Sequence, residues 1–279
     1  MQITGAQLFV KALQAEQVDT LFAYPGGQAI DLFDALYGAA VPKVILPRHE
    51  QGLVHAADGY ARSTGKTGVC LVTSGPGATN LVTGIATANY DSVPLVCFTG
   101  QVPTGLIGND SFQEVNIVGI TRSITKYAVT VRRREELGSV IKKAFYIAVD
   151  IPVVADAKSA ISTLLEKAEP LPTGEWLAQL ERWKQQHPLR MKPSALSPQA
   201  ILQAVNHCFE NAIIATDVGQ NQLWATQFLA LDEHRRLLTS GGLGTMGYGL
   251  PAAIGASLGN PRTDVLVITG DGGMQMNLQ

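Results

Sequence analysis

Val265-Leu-Val-Ile-Thr-Gly-Asp-Gly-Gly, residues 265–273, is a short apolar run that ends in a glycine turn. A segment of the same kind, Val69-Cys-Leu-Val-Thr-Ser-Gly-Pro-Gly, occupies residues 69–77. Both are typical of buried strands, and strand and helix patterns alternate on either side of them. This alternation predicts mainly parallel sheets covered by helices on both faces. In such sheets ligands bind at the carboxyl ends of the strands, where both glycine turns fall.

The same patterns predict the individual elements of two α/β domains. Helices are expected at residues 4–16, 49–62, 78–90, 176–185 and 249–258, and another begins at Ser197-Pro198. Strands are expected at residues 20–24, 44–46, 68–73, 95–99, 212–216 and 265–269. Between Glu166 and Pro198 the chain carries five prolines, which indicate a linker between the domains.

Composition and charge exclude several classes of protein. Hydrophobic residues make up 46% of the chain and charged residues 16%, which is typical of an ordinary globular interior. The net charge of −2 provides no general attraction to nucleic acid or to an anionic membrane, and the basic cluster at 132–134 is interpreted as a solvated helix start. Residues 68–90 are uncharged, but Ser74-Gly-Pro-Gly interrupts them, so no membrane span is predicted.

The three cysteines have no C-x-x-C spacing, and the N-terminus lacks the pattern of a signal peptide. A reduced, cytoplasmic location is therefore expected.

The strongest local signal for a ligand is Gly270-Asp-Gly-Gly, directly after a hydrophobic strand. Glycines let the backbone approach a phosphate closely, and an aspartate at a strand end can bind Mg²⁺ while leaving positions for diphosphate oxygens. The same sequence is also a common turn, so the motif alone leaves both interpretations open.

Two further stretches resemble that turn in character. Asp217-Val-Gly-Gln-Asn-Gln follows another strand, and five glycines lie between Gly241 and Gly249, just before a predicted helix. Glycine at this density indicates a backbone on which something presses closely. Met246, within the run, is either core packing or an apolar support beneath a bound cofactor.

Pro47-Arg-His-Glu-Gln-Gly opens a predicted helix in the first half of the chain. Glu50 lies in its first turn, where interaction with the helix dipole is the ordinary explanation for a carboxylate, and the local pattern favours that explanation. His49 and His55 are expected to be structural or on the helix surface, because no third metal ligand follows at usable spacing. Ser74 lacks a nucleophile-elbow sequence, which argues against an acyl-enzyme hydrolase.

Nine motifs, taken together and in order, resemble the large-subunit family of acetolactate synthase, a thiamine diphosphate enzyme. They are Tyr24-Pro-Gly-Gly, Arg48-His-Glu-Gln-Gly, His55-Ala-Ala-Asp-Gly-Tyr-Ala-Arg, Thr73-Ser-Gly-Pro-Gly-Ala-Thr-Asn, Gly100-Gln-Val-Pro-Thr, Phe112-Gln-Glu, Asp217-Val-Gly-Gln, Gly241-Gly-Leu-Gly-Thr-Met-Gly and Gly270-Asp-Gly. The resemblance implies two doubly wound parallel-sheet domains. Residues 1–148 would form the pyrimidine-binding domain, 149–196 a remnant of the middle domain and linker, and 197–279 part of the diphosphate-binding domain.

The resemblance also implies a reaction. The family decarboxylates pyruvate on thiamine diphosphate and condenses the product with pyruvate or 2-ketobutyrate, in the biosynthesis of isoleucine and valine. It implies Mg²⁺ and FAD as further cofactors, and a small regulatory subunit as a partner. A homodimer would hold the cofactor between the pyrimidine domain of one chain and the diphosphate domain of the other.

Site residues follow from matching positions in the family. Glu50 would bind the aminopyrimidine ring and promote the imino tautomer that removes the thiazolium proton. Asp271 matches a Mg²⁺ ligand, and Met246 matches the residue that holds the cofactor in its bent conformation. Gly27 and Gln113 match positions beside the reactive centre. Phe112 and Gln113 match the substrate side, and Phe112 also matches the flavin side. The remaining matches to cofactor contacts are Val218, Gly219, Gln220, Gly244, Gly270, Gly272 and Gly273.

Two departures from the family bear on activity. Ala148 is followed almost directly by 149–158, which resemble the end of the middle domain, so the part that holds most of the FAD site is missing. Gln279 is reached before the family's second metal motif, so we expect Asp271 to have part of its usual coordination shell and the second sheet to be incomplete. Smaller departures occur at Gln28 and Asn221.

Hypotheses of two classes therefore stand. The first is the acetolactate synthase reaction. Its alternatives are the reactions of other thiamine diphosphate enzymes, such as pyruvate oxidase or 2-keto acid decarboxylase. The second treats the chain as a non-catalytic fragment that folds in part.

Overall fold

The computed structural model describes residues 3–148, 162, 165–166, 168–169, 172–189, 196–232 and 235–278. Within these ranges the chain forms two parallel sheets, each with helices packed on both faces. The predicted class, two doubly wound α/β domains, is confirmed. The segment interpreted as the end of a middle domain, residues 149–158, lies outside the described residues.

The first domain contains a parallel four-stranded sheet in the order β2-β1-β3-β4. Its strands are β1 Thr20–Ala23, β2 Lys43–Ile45, β3 Gly68–Val72 and β4 Leu95–Thr99. Its helices are α1 Gly5–Ala15, α2 Ile30–Leu36, α3 Glu50–Thr64, α4 Pro76–Thr79, α5 Val82–Tyr90, α6 Ile117–Thr121 and α7 Leu137–Ala148.

The second domain contains a parallel three-stranded sheet in the order β6-β5-β7. Its strands are β5 Ile213–Thr216, β6 Arg236–Leu238 and β7 Val265–Ile268. Helix α8, Gly174–Gln186, precedes it, and its own helices are α9 Pro198–Cys208, α10 Gln220–Phe228, α11 Gly249–Gly259 and α12 Asp271–Met276. Strand β6 is not predicted from the sequence, because three residues are too few to show a periodic pattern.

Uninterrupted apolar strands arise because both faces of each sheet are covered. In β3, Val69 and Leu71 pack in a core with residues of α1 and α7, whereas Cys70 and Val72 pack on the opposite face with residues of α3. Successive side chains of a strand point to opposite faces, so every position of a doubly covered strand must be apolar.

Local capping signals place the helix starts as predicted. Thr4 Oγ1 accepts a hydrogen bond from the Gln7 amide at 3.1 Å, and Gln7 Oε1 accepts one from the Thr4 amide at 3.0 Å. Such a reciprocal capping box satisfies two amides that the first helical turn leaves unpaired. The helix predicted at 78–90 is instead interrupted: α4 ends at Thr79, and α5 begins at Val82.

One helix from each domain packs between the two sheets, α3 against α11. A Cβ added at Gly59 would lie 2.1 Å from the carbonyl oxygen of Ala252, and one added at Gly255 would lie 1.8 Å from that of Ala56. These distances are too short for any side chain, so the helices meet backbone to backbone. The two domains are thereby joined within a single chain.

No helix in the described part of the chain has the length and apolar character needed to cross a bilayer.

Candidate functional site

Glu50 is the first residue of α3, and His49 caps that helix by accepting the Gln51 amide on Nδ1 at 3.1 Å. The Glu50 side chain is only 8% exposed, and its Oε2 accepts a hydrogen bond from Asn80 Nδ2 at 2.9 Å. A Cβ at Gly77 would lie 3.3 Å from Glu50 Oε1, so a side chain at residue 77 would crowd this oxygen. Glu50 is therefore neither in open solvent nor packed in the hydrophobic core.

The break between α4 and α5 supplies the partner of this carboxylate. Asn80 lies in the break, and the next residue, Leu81, is fully buried in the core beneath α3. The prediction of one continuous helix at 78–90 is wrong because the chain turns here, directing an amide to Glu50 and a leucine to the core.

Loops from three parts of the first domain converge at the same end of its sheet. Thr73 Oγ1 accepts the Gln28 amide at 3.2 Å, and a Cβ at Gly26 would lie 2.6 Å from Thr73. A Cβ at Gly75 would lie 2.7 Å from the carbonyl oxygen of Gln113. The structure thus brings the segment around the predicted Gly27 and the predicted Gln113 to the loop that follows β3.

Gln113 and Phe112 differ in their settings. Gln113 has φ of 60°, an uncommon conformation for a residue with a side chain, and it is half-buried. Phe112 is 84% exposed. A large aromatic ring this exposed is available to contact a ligand, although it makes up no part of the core.

In the second domain Asp217 organises the glycine-rich segment. It is fully buried; its Oδ1 accepts the amides of Val218 at 2.8 Å and Gly247 at 3.0 Å, and its Oδ2 accepts the Gly249 amide at 2.9 Å. In the sequence Asp217 begins one of the nine motifs, and no role is predicted for it there. The available signal was an acidic residue directly after a buried strand, in a chain whose glycine run needed an acceptor for its amides.

Asn221, one of the departures from the family pattern, ties two strand ends together. Its Nδ2 donates to the carbonyl oxygens of Asp217 at 3.0 Å and Ile268 at 3.1 Å. The carboxyl ends of β5 and β7 are therefore held at a fixed separation, as a site between them requires.

The residues after β5 that are predicted to contact the cofactor lie at the start of α10. Gly219 has φ of 134°, which excludes other residues, and it is exposed together with Gln220, while Val218 is half-buried.

The residues after β7 that are predicted to contact the cofactor lie at the start of α12. Gly270 precedes the helix, and Asp271 and Gly272 are exposed, with open space where a Gly272 side chain would be. Gly273 is different, because a Cβ there would lie 2.5 Å from Asp217 Oδ1. The group that approaches Gly273 closely is therefore the Asp217 carboxylate of the protein itself, and not a ligand.

The segment 239–248, called the glycine loop below, presents two of the predicted residues. Met246 is 47% exposed and Gly244 is exposed with φ of 67°, whereas Thr245 and Gly247 are buried. Asn277, just after α12, donates from Nδ2 to the carbonyl oxygen of Gly247 at 2.7 Å.

Packing of α3 on α11 brings the first turn of α3 close to the end of α12, and the space beside these two segments is called the cleft below. A Cβ at Gly52, in the first turn of α3, would lie 4.0 Å from Asn277 Oδ1. Asn277 follows the short helix that begins with Asp271. The turn that begins at Glu50 therefore lies beside the end of the short helix that begins at Asp271.

The protein ligands for a metal are sparse at this cleft. The described residues include no group of three or more His, Cys, Asp or Glu that could hold a metal ion. Mg²⁺ commonly binds through one or two carboxylates together with ligand phosphates and water. A single exposed aspartate beside open glycines suits a metal that arrives with a phosphorylated ligand.

An apolar cavity of about 420 Å³ lies elsewhere in the first domain, beside β4 and α7. Phe98, Tyr127 and Ile141 are among its lining residues, and neither Glu50 nor any predicted residue of the glycine loop lines it. It is separate from the cleft.

His55 lies inside the contact between the domains, so the expectation of a helix-surface position is wrong and the structural interpretation stands. It is fully buried, and its ring packs edge-on to that of Tyr248 at 5.5 Å. Within the described ranges neither ring nitrogen has a hydrogen-bond partner. Burial, reinforced by the nearby charge of Arg62, lowers the pKa of His55 from 6.5 to about 4.

Acid is expected to destabilise the protein through His55. As pH falls from about 6.5 to about 4, the unfolded chain binds a proton at this histidine and the folded chain does not, so the free energy of unfolding decreases. The decrease is on the order of 3 kcal/mol. Urea unfolding at pH 7 and pH 4.5 should show it in the wild type and much less of it in His55→Gln.

The exposed His207 provides the control, because His207→Gln should keep the wild-type dependence on pH. Burial raises the pKa of Asp58, which gives this group the opposite sign: it favours the folded state as pH falls. It is present in both variants, so the difference between them isolates His55. An identical decrease in wild type and His55→Gln would contradict the assignment.

Comparisons with known proteins agree with the resemblance seen in the sequence. The family described as "Thiamine pyrophosphate enzyme, N-terminal TPP binding domain" matches residues 3–120, and "Thiamine pyrophosphate enzyme, C-terminal TPP binding domain" matches residues 217–279. The acetolactate synthase large subunit of Pyropia yezoensis is 30% identical, with 99% of this chain and 77% of that protein covered.

Similar matches come from a plant and a bacterium. The chloroplastic acetolactate synthase of Arabidopsis thaliana is 31% identical over 99% of this chain and 67% of that protein. The acetolactate synthase isozyme 3 large subunit of Escherichia coli K12 is 28% identical, with 99% of this chain and 79% of that protein covered. The alignment with the Pyropia protein spans 453 positions, more than the 279 residues here, so that relative contains residues inside the matched span that this chain lacks.

Proposed function

Because the chain belongs to the acetolactate synthase large-subunit family of thiamine pyrophosphate enzymes, we propose that the cleft bordered by Glu50 and Asp271 binds thiamine diphosphate with Mg²⁺. We further propose that the reaction served by this cleft is the decarboxylation of pyruvate followed by condensation with a second 2-keto acid. The substrate classes are pyruvate and 2-ketobutyrate.

A single observation supports the proposal most strongly. Residues that match the two cofactor-binding domains are far apart in sequence. The packing of α3 on α11 nevertheless places the first turn of α3, in the first domain, beside Asn277, in the second domain. A cofactor with a ring at one end and a diphosphate at the other needs such a two-sided cleft.

The residues of the cleft fit that cofactor in chemistry. Asp271 and the amides that begin α12 would hold the metal and diphosphate, because a carboxylate attracts the cation while exposed glycines leave the backbone accessible. Glu50, shielded from solvent and oriented by Asn80, would hold a ring nitrogen. Met246 offers an exposed apolar surface between them.

Bound thiamine diphosphate supplies a carbon nucleophile and an electron sink for decarboxylation. The chain's own contribution is to hold and exchange a proton at the Glu50 carboxylate, to orient that carboxylate through Asn80, and to restrict water by burying it. Gly27 and Gln113 would face the substrate, with Phe112 at its outer edge.

Asp271→Asn is expected to weaken the binding of thiamine diphosphate in the presence of Mg²⁺ by at least about tenfold, since even changes next to a metal ligand have effects of this size. Calorimetric titration of the wild type and the variant would measure it. Asp264→Asn, an exposed aspartate of the same domain, should bind like the wild type. Equal affinity of Asp271→Asn and wild type would remove Asp271 from the site.

Product analysis after incubation with pyruvate, thiamine diphosphate, Mg²⁺ and FAD in aerated phosphate buffer tests the reaction. Acetolactate would support the proposal, whereas acetaldehyde or acetyl phosphate would assign the chain to decarboxylase or oxidase chemistry. If the wild-type protein neither binds the cofactor nor converts pyruvate, the hypothesis of a non-catalytic fragment would be favoured. FAD, a regulatory subunit and a cytoplasmic location stay predictions from the resemblance and the sequence. Homodimer assembly also stays a prediction, but the cleft proposed here lies between two domains of one chain, which differs from the expected site between two chains.

A further inference from the structure

The first domain contacts the glycine loop of the second domain through Asp91, which follows α5. Asp91 Oδ1 accepts the Gly242 amide at 2.7 Å, and Oδ2 accepts the Gly241 amide at 3.2 Å. A Cβ at Gly242 would lie 2.7 Å from Asp91 Oδ1 and 3.0 Å from Tyr90 Cβ. The loop backbone is therefore pressed against this carboxylate, and only glycine fits at that point.

Arg62 extends the contact. From α3 its Nη2 donates to Asp91 Oδ2 at 2.6 Å, its Nε donates to Asp58 Oδ1 at 2.7 Å, and its Nη1 donates to the carbonyl oxygen of Thr239 at 3.0 Å. Asp58 is fully buried and also accepts from the Tyr248 hydroxyl at 2.7 Å. Thr239 and Tyr248 are the first and last residues of the glycine loop, so this network holds both of its ends.

Two further anchors hold the same loop, one from each domain. Asp217 accepts the Gly247 and Gly249 amides, and the Thr245 hydroxyl lies 2.6 Å from that of Thr87 in the first domain. Between these anchors Met246 and Gly244 are left exposed. The position of the exposed part is thus set by carboxylates from both domains.

We propose that Asp91 and Arg62 are positioning residues for the cofactor, which set the conformation of the glycine loop and with it the placement of Met246. The inference rests on the proposed function and adds a coupling to it. Because the loop is ordered by side chains of the other domain, docking of the domains and binding of thiamine diphosphate must strengthen each other by the same factor.

The role of Asp91 is distinct from stabilising the contact between α3 and α11. Backbone contacts of α3 with α11 already join them, whereas Asp91 lies outside both helices and binds loop amides. Loss of the hydrogen bonds from Asp91 to the loop amides should therefore increase the mobility of the glycine loop without separating the two domains.

Asp91→Asn tests this, because it keeps the size of the side chain and removes the charge that binds Arg62 and two amides. Hydrogen exchange read by mass spectrometry should accelerate about tenfold in peptides covering 239–248 and stay unchanged elsewhere. The dissociation constant for thiamine diphosphate with Mg²⁺ should rise about tenfold, and saturating cofactor should restore protection of the loop.

Asp19→Asn is the matched control. Asp19 also binds a cation, Lys66, and a tyrosine hydroxyl, that of Tyr60 at 2.5 Å, but no hydrogen bond in the described part of the chain joins it to the glycine loop. It should alter neither loop exchange nor cofactor affinity.

Unchanged loop exchange and unchanged affinity in Asp91→Asn would overturn the inference. If the wild type fails to bind thiamine diphosphate, the proposed function fails, while the exchange of the loop still tests the role of Asp91. Should Asp91→Asn unfold entirely, Asp91→Glu carries the same expectation, because it keeps the charge beside Arg62 but displaces the carboxylate from the two amides.

Discussion

Gly255→Ala is expected to lower the free energy of unfolding by about 3 kcal/mol, at the upper end of the usual range for overpacking. The added Cβ would lie 1.8 Å from the carbonyl oxygen of Ala56, and a backbone atom in the middle of α3 cannot rotate away. The two helices must therefore move apart. Urea unfolding followed by circular dichroism would measure the loss, and Gly59→Ala should behave alike, since its Cβ would meet the Ala252 carbonyl oxygen at 2.1 Å.

Gly138→Ala separates this effect from the intrinsic preference for alanine in helices. Gly138 lies in α7, and nothing is found within 4 Å of where its Cβ would be. Alanine there should stabilise the protein by up to about 1 kcal/mol. A Gly255→Ala protein as stable as the wild type would mean that α3 and α11 do not pack in this way in solution.

Glu50→Gln is expected to slow the exchange of the reactive ring proton of bound thiamine diphosphate with deuterium by about 10²- to 10⁴-fold, the range found when a positioned acid or base is lost. Glutamine is nearly the same size, and its side-chain oxygen can still accept from Asn80, so the fold should persist. What it lacks is the ability to exchange a proton. Rapid-quench exchange analysed by NMR would give the rate.

Glu175→Gln serves as the control, because Glu175 is exposed in α8, a helix with no buried residues. It should exchange at the wild-type rate. If Glu50→Gln binds the cofactor and exchanges as fast as the wild type, Glu50 has no part in proton transfer, and the proposed chemistry loses the group that promotes the imino tautomer.

Much of the architecture could be predicted because it depends on local patterns. The strand at 68–73 and the capped helix starts at Thr4 and Ser197 agree with the structure within a residue or two. For Glu50 the local pattern favoured a helix-dipole role. Only the fold showed that its carboxylate is buried beside Gly77 and bound by Asn80.

Other features depended on contacts that no window of sequence contains. Asp217 looked like one more residue in a turn, yet it accepts amides some thirty positions later. Asp91 and Gly242 are 151 positions apart and form a 2.7 Å hydrogen bond. Sequence reasoning missed both roles, because such a pairing requires knowing which strand ends and loops are neighbours.

From its sequence alone the chain is determined to be two doubly wound α/β domains that carry the motifs of a thiamine diphosphate enzyme. Periodicity, caps and glycine turns are short-range, so they can be read from neighbouring residues. Tertiary structure decided which helices meet, which carboxylates bind the glycine loop, and that the first turn of α3 lies beside Asn277. These depend on close packing of α3 and α11, where the absence of side chains at Gly59 and Gly255 acquires meaning only when the facing backbone is in place.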